Sequence, residues 1–377
     1  MALNIHLPPS EWYVPFSPGL KELVQELETV SLVAIDTETT GLSKTHDKVL
    51  YWSISWESPT KGMRKACLRS DTLPFFNHLF RDATRTWILA NAKFDMAMLA
   101  NMSCPLLGRC ADVAVAHALL YEEDSHGLKE MTLQILKWTW ASFEDTFGKV
   151  DPKNPLDSIG ARLRAAEKNE LKKLIDYASN DAYGTYMLYK ELERRLRMTP
   201  THSFYPGDYP TLWEIYDKTE VPFTQVLYSC ERAGLLIDEK YLLGIQHKVD
   251  AAMAQALRDL TREAGRPVNP NSGDELRDVL FNVLGFRPTK WTKGGSSGIR
   301  KPSTAKEALE DLEDQAVSPQ AARFLMALKE YNSVKALKTN FLPALLNKRD
   351  KYGRAHTNFG QASTATGRLN SSEPNFQ

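Results

Sequence analysis

Four apolar residues in succession, Leu32-Val33-Ala34-Ile35, end abruptly at Asp36-Thr37-Glu38. A run of that kind reads as a buried strand, and Gly41 then lets the chain turn away. Side chains alternate across a strand, so Asp36 and Glu38 project from one face. Upstream, Leu20, Leu23, Val24 and Leu27 recur at helical spacing, predicting a loop and then a helix that ends near Glu28. Downstream, Val49 to Trp56 alternates apolar and polar residues as a second strand does. Leu73 to Phe80 has the pattern of an amphipathic helix. Trp87-Ile88-Leu89-Ala90 is another short buried strand, leading through Asn91 and Asp95 into a helix that runs to Met102. Strands alternating with helices predict an α/β layered domain.

Helical periodicity then dominates. Asp112 to Leu136 reads as mostly helical, a polar loop spans Phe147 to Pro155, and Glu167 to Arg197 is a long helical stretch with few breakers. Proline, glycine and aromatic residues collect between Pro200 and Pro210, which places a domain boundary there. Residues 1–200 therefore form one domain and 201–377 a second, mainly helical one. Within the second, Thr211 to Arg232 and Glu239 to Ala264 are predicted helices on either side of a turn at 233–238. Ser272 is a candidate N-cap for a helix ended by Gly285. Lys290 to Ser303 reads as a mobile loop on composition, further helices run from about Ala305 to Leu346, and the tail from Tyr352 reads as extended.

Charge changes this picture locally rather than globally. The 377 residues balance to a formal net charge of zero, but Phe286 to Lys306 holds six basic residues and no acid. From Arg323 to the end there are nine basic residues against three acids. Such stretches suit a polyanion, or simply a solvated surface. Cys67, Cys104, Cys110 and Cys230 show neither zinc spacing nor a disulfide framework. No secretory leader and no apolar run of spanning length is apparent, which predicts a cytoplasmic protein.

The candidate chemistry lies in the carboxylates. Two acids side by side at the end of a buried strand repel each other and lose hydration unless a cation sits between them. Oxygen-only ligation suits magnesium or manganese better than zinc. A lone pair of that kind is equally readable as a capping acid beside a solvated one, so other acids must join it. Asp95 stands at the start of a helix just after a buried strand. Tyr177 and Asp181, four apart, share one face of the long helix.

Taken in order, Asp36-Thr37-Glu38, Asn91-Ala92-Lys93-Phe94-Asp95 and Tyr177-Ala178-Ser179-Asn180-Asp181 resemble the three motifs of the DEDD superfamily of 3′–5′ exonucleases. Asp176 stands where the histidine subtype has its histidine, so the resemblance is to the tyrosine subtype. It implies a ribonuclease H-like fold, a mixed sheet with flanking helices, and hydrolysis assisted by two divalent ions, Mg2+ or Mn2+. In that scheme Asp36, Glu38 and Asp181 hold the first ion, Asp36 bridges to the second, and Asp95 acts on the second mainly through water. Tyr177, with Glu38, orients the attacking water, Leu42 packs on the terminal base, and Asn91 belongs to the substrate-facing motif. A frayed single strand is the natural substrate, because a paired end must first unstack.

The second half resembles the family A DNA polymerases. Glu220-Val221-Pro222, Glu231, Gly234 and Ile237-Asp238 match the opening of their polymerase core, and Asn269-Pro270-Asn271-Ser272 with Leu280-Phe281 matches a thumb signature. Lys293-Gly294 and Ser303-Thr304 match the thumb-tip loop. The tail carries Gly353-Arg354-Ala355-His356-Thr357, Thr364-Ala365-Thr366-Gly367-Arg368-Leu369 and Pro374-Asn375-Phe376-Gln377. By this resemblance Lys293, Ser303, Thr304, Arg354, Thr364, Arg368 and Asn375 are DNA contacts along a primer–template. The palm carboxylate motifs and the fingers helix are not found in these residues. Synthesis is therefore expected only with a separate chain carrying palm and fingers, and the leading expectation is a proofreading exonuclease. The rival readings are a DNA-binding scaffold with little hydrolysis, and an RNase D-like RNA exonuclease.

Overall fold

The computed structural model describes residues 7–201, 209–294, 299–315 and 318–376. The chain forms two compact units, one of residues 1–233 with 359–370, the other of residues 234–358 with 371–377.

The first unit is built on a six-stranded mixed sheet. Its strands are β1 (Ser10–Tyr13), β2 (Leu32–Thr39), β3 (Val49–Ser58), β4 (Gly62–Arg69), β5 (Thr86–Leu89) and β6 (Arg109–Asp112). They lie in the order β1-β4-β3-β2-β5-β6. The β2–β3 and β3–β4 pairs are antiparallel, whereas β1–β4, β2–β5 and β5–β6 are parallel. Helices cover both faces, which explains why β3 is buried almost throughout rather than on alternate residues.

One face packs against α1 (Leu20–Glu28), α2 (Leu73–Phe80) and α3 (Ala92–Asn101). Val33 and Ile35 of β2 join Trp52, Ile54 and Trp56 of β3 in the core there. The Trp52 indole N–H donates to the Thr72 hydroxyl at 2.9 Å, so this fully buried ring leaves no polar atom unpaired. The opposite face meets α4 (Val113–Ala118), α5 (Leu128–Leu136), α6 (Phe143–Phe147), α7 (Ile159–Asn169) and α8 (Leu171–Met198). Ala34 of β2 packs on that side with Tyr186, Leu188, Tyr189 and Leu192 of α8. At 28 residues α8 spans about 42 Å, long enough to cross the whole sheet.

Three strands lie outside the sequence expectation. β1 falls in the stretch read as a loop, and β6 lies almost wholly in residues 103–111, between two stretches read as helical, where no element is predicted. β4 (GMRKACLR) hides its character behind three basic residues that find partners in the fold, Arg69 with Asp71 among them. Arg64 Nε donates to Glu11 at 2.8 Å, and Lys65 Nζ to the side-chain Oδ1 of Asn180 at 2.6 Å. The single long helix of the sequence reading is two, parted at Glu170, whose backbone leaves the helical region.

The first unit also includes α9 (Leu212–Ile215) and α10 (Val221–Ala233), joined by one turn of π-helix at Tyr216–Glu220. Tyr216 donates to the Asp112 carbonyl at 3.1 Å and Gln225 to the Gly108 carbonyl at 2.6 Å, tying this segment to the sheet edge at β6. The compact units consequently part after Ala233, whereas the composition shifts near residue 200.

The second unit is largely helical: α11 (Glu239–Ala264), α12 (Gly273–Arg277), α13 (Lys306–Glu313), α14 (Pro319–Ala336) and α15 (Leu342–Asn347). Leu260, Leu280, Leu312, Phe324 and Leu328 form its core. Ser272 caps α12, its hydroxyl accepting from the Glu275 amide at 3.3 Å, and Gly285 adopts positive φ at the end of that helical stretch. Short strands β7 (Leu235–Leu236) and β8 (Arg354–Ala355) pair antiparallel. The base of the Lys290–Ser303 stretch, read as mobile on composition, is a hydrogen-bonded ladder: Thr292 N donates to Lys301 O and Ser303 N to Lys290 O, both at 2.8 Å.

Candidate active site

Strand alternation sends Ala34, Asp36 and Glu38 toward α8, while Val33, Ile35 and Thr37 face the other way. The strand carries a register shift between Glu38 and Thr39 where it pairs with β3. Such bulges redirect side chains and end pairing beside functional sites. From α8, Asp181 reaches the same place. One carboxylate oxygen each of Asp36, Glu38 and Asp181 lies within 4.8 Å of the others, a group able to hold a metal ion. Glu38 and Asp181 are buried, Asp36 half-buried.

Loss of hydration dominates the electrostatics. Burial first, and then the neighbouring carboxylates, push Asp36 well above the usual carboxylate range. Burial and then Asp181 raise Glu38 to about 8. Burial also raises Asp181, to about 6, against the Lys129 charge and hydrogen bonds from Trp140 and Tyr177 that pull it down. Four acids crowded in a poorly hydrated site are unfavourable by themselves, and a divalent cation on an all-oxygen donor set relieves the cost. The residues present thus fit such an ion.

Asp95 is held differently. Its Oδ1 accepts from Thr37 Oγ1 at 2.5 Å, and Thr37 belongs to the opposite face of β2 from Asp36 and Glu38. Asp95 is buried, its carboxyl raised to about 7 by burial; it is not among the three whose oxygens lie within 4.8 Å of one another, but its charge is the strongest neighbouring one acting on Asp36. Its helix is aimed by Asp112, a residue the sequence reading passed over. The Asp112 carboxylate accepts from the amides of Asn91 at 3.1 Å, Ala92 at 2.8 Å and Ala114 at 2.9 Å, so one acid gathers the starts of α3 and α4. Asn91 itself is exposed in the left-handed region (φ 63°), the bend from which α3 departs.

Tyr177, one turn before Asp181, packs its ring edge-on against Phe147 (5.2 Å between centroids) and Phe143 (6.3 Å). Trp140 is a second residue that sequence reasoning missed. Its indole N–H donates to Asp181 Oδ1 at 2.6 Å, and its ring lies 4.5 Å from that of Trp138. A methyl group on Gly184, one turn past Asp181, would overlap the Trp140 ring, so glycine there admits the indole. Two tryptophans two apart in a polar loop were the available signal. Lys129, from the first turn of α5, completes the surroundings, with Nζ 3.8 Å from Asp181 Oδ1.

The other expected contacts are dispersed. Leu42 is 72 % exposed in the loop beyond β2, an apolar side chain left in water near the carboxylates. Gly41 beside it has no positive φ; its service is space, since a Cβ there would come within 2.6 Å of the Asp47 carboxylate. Thr364 and Arg368 belong to the first unit, where Thr364 Oγ1 donates to the Arg368 carbonyl at 2.7 Å. In the second unit Lys293 is exposed and Ser303 and Thr304 half-exposed. Arg354 donates there to the Gly234 carbonyl at 3.0 Å, and Asn375 accepts from Ser371 at 3.1 Å. The basic stretches are also less bare than their sequence suggests: Lys290 pairs with Asp311 (3.1 Å), Lys301 with Asp274 (2.9 Å) and Lys329 with Glu313 (3.0 Å). Among the described residues no helix is long and apolar enough to cross a membrane.

A mixed sheet flanked by helices, with two carboxylates at the end of one strand met by a third carboxylate and a tyrosine from the helix across from it, defines a nuclease-type α/β domain. Comparison with known proteins agrees. Residues 14–197 match the 3′–5′ exonuclease family model and residues 239–377 the DNA polymerase family A model. The DNA polymerase I of Chloroflexus aurantiacus is 29 % identical over 98 % of the chain, and that of Pseudomonas aeruginosa 28 % identical over 95 %. A thermostable DNA polymerase I from Thermus thermophilus is 36 % identical over 60 % of the chain and 24 % of its own length. The fold matches the polymerase domain of Pol1 from M. smegmatis, in complex with DNA primer-template and dNTP, with a TM-score of 0.71. Identity there is 22 %, over 98 % of this chain and 55 % of that one. The chain belongs to the family A DNA polymerases. It spans 37 % and 38 % of the length of the first two relatives.

Proposed function

We propose that this chain carries a proofreading 3′–5′ exonuclease that hydrolyses DNA 3′ ends and releases nucleoside 5′-monophosphates. The observation that carries the reading is the convergence of Asp36, Glu38 and Asp181 within 4.8 Å, with Tyr177 one helical turn from Asp181. Asp36, Glu38 and Asp181 would hold one divalent ion, Mg2+ or Mn2+, with Asp36 and Asp95 serving a second. Two such ions supply an activated water near neutral pH and stabilise the leaving 3′-oxygen. The chain's own residues do the rest. Tyr177, with Glu38, orients the attacking water; Trp140 fixes the Asp181 carboxylate; Thr37 fixes that of Asp95; Leu42 packs against the terminal base.

Residues 1–200 serve in this reading as the exonuclease domain, and 201–377 as the start of the polymerase palm with its thumb. Lys293, Ser303, Thr304, Arg354, Thr364, Arg368 and Asn375 contact primer–template. Synthesis itself belongs to palm and fingers segments of the kind the family resemblance implies, carried by a separate chain.

The test is magnesium-dependent digestion of a 3′-labelled single strand, with EDTA, Asp36→Ala and Asp181→Ala controls. Stepwise release of mononucleotides, reduced at least ~100-fold by either substitution and abolished by EDTA, is expected. Undiminished activity in the variants would sink the site assignment. Binding without hydrolysis would instead favour a scaffold, and preference for RNA an RNase D-like enzyme.

A further inference from the structure

The strongest feature outside the motif residues is Lys129. It stands in the first turn of α5 (Leu128–Leu136), where the helix dipole disfavours a cation. Its side chain is mostly buried, and its ammonium lies over two aromatic faces at once, 4.8 Å from the Tyr177 ring centroid and 5.5 Å from that of Trp140. Nζ is 3.8 Å from Asp181 Oδ1, the same oxygen that accepts the Trp140 indole N–H. The two ring faces and the Asp181 carboxylate offset the unfavourable dipole and hold the ammonium at this point.

We infer that Lys129 is a positioning residue of the exonuclease centre, holding Asp181 and Tyr177 in register through its charge on the carboxylate and its contact with both rings. The inference rests on the exonuclease reading given above. Trp140 supplies direction to the Asp181 oxygen, because a hydrogen bond is angular. Lys129 supplies the non-directional part, drawing Asp181 and the Tyr177 ring toward one point. A positive charge so placed opposes a second cation nearby, so its removal should not weaken ion binding. That separates it from a ligand: losing a ligand weakens ion binding and turnover together, whereas losing Lys129 should spare binding and slow turnover.

The experiment compares the parent chain with Lys129→Met, Lys129→Arg, Asp181→Ala and Asp36→Ala. Mn2+ binding is read from the EPR signal of free Mn2+, and hydrolysis from a labelled oligothymidylate. For Lys129→Met we expect Mn2+ bound at least as tightly as by the parent, kcat lower by ~10-fold, and KM within ~2-fold. Lys129→Arg, which keeps the charge and stacks on aromatic faces, should restore most of kcat. Asp181→Ala should lose both Mn2+ binding and turnover. Lys129→Met with the parent's kcat, or with Mn2+ binding lost as in Asp181→Ala, overturns the inference. A rise in KM at unchanged kcat does so too, pointing to a phosphate contact instead. Asp36→Ala distinguishes the levels. If it binds and hydrolyses like the parent, the exonuclease reading itself has failed. If it is dead while Lys129→Met is normal, only the role of Lys129 has.

Discussion

At the scale of single residues, the site is a balance between unfavourable burial and local compensation. Asp36, Glu38, Asp95 and Asp181 all have carboxyls raised chiefly by loss of hydration. Each partner that holds one of them, whether Thr37 on Asp95 or Trp140 on Asp181, stabilises an arrangement that bare acids would avoid. Asp112 does comparable work for the backbone. Three amides donate to its buried carboxylate, and a hydrogen bond to a charged group contributes about 1.5–3 kcal/mol net of the water it replaces. Asp112→Ala leaves those amides unpaired where water is scarce. We expect a loss of about 2–4 kcal/mol in urea unfolding, with unchanged m-value. A loss under about 0.5 kcal/mol would show that the turn at Asn91 stands without it.

At the scale of elements, α8 unites site and scaffold. Its middle lies across the sheet, one end carries Tyr177 and Asp181, and the other is laced with charge. Glu191 accepts from Arg194 at 2.7 Å and from Arg195 at 2.8 Å, and the Arg194 hydrogen bond, followed by that of Arg195, holds its carboxyl down to about 2. A depressed carboxyl contributes stability that is present above the unfolded pKa of roughly 4.3 and is lost as pH falls toward 2. Glu191→Gln should therefore be less stable than the parent at pH 7, with the gap closing between about pH 5 and pH 2. Thermal unfolding across that range checks it; a gap constant with pH would remove Glu191 from the account.

At the scale of the whole molecule, the proposed DNA contacts are open to test through their salt dependence. Paired lysines such as Lys290, Lys301 and Lys329 must exchange an internal acid for a phosphate before they help to bind DNA. Counterion release still makes binding salt-dependent. Affinity for primer–template is expected to fall by at least about tenfold between ~50 and ~200 mM salt. A flat response in fluorescence anisotropy would refute phosphate contact by these stretches. The slope should fall short of what all fifteen basic residues of the two stretches together would produce.

Much of this protein was legible as sequence because its information is local. The helix Leu20–Glu28, the strand from Leu32, the helix Leu73–Phe80 and the Ser272 cap follow from periodicity and cap chemistry over a few residues. Strand alternation placed Asp36 with Glu38 and helical spacing placed Tyr177 with Asp181; joining these and Asp95 into one set came from the resemblance of the three ordered motifs to the DEDD exonucleases. What escaped depends on partners far along the chain. β4 looks polar until Arg64 meets Glu11 and Lys65 meets Asn180. β6, only four residues long, declares itself by pairing with β5, and the π-turn and α10 join the first unit only because they pack on that edge. Lys129 and Trp140 stand 52 and 41 residues before Asp181, separations at which no periodicity connects them. The sequence by itself determined which groups could do chemistry, since that is a property of residue type and spacing. Only the tertiary structure decided that Asp36, Glu38 and Asp181 converge within 4.8 Å and that Asp95 is held by Thr37, because burial and distance arise when the sheet and its helices pack together.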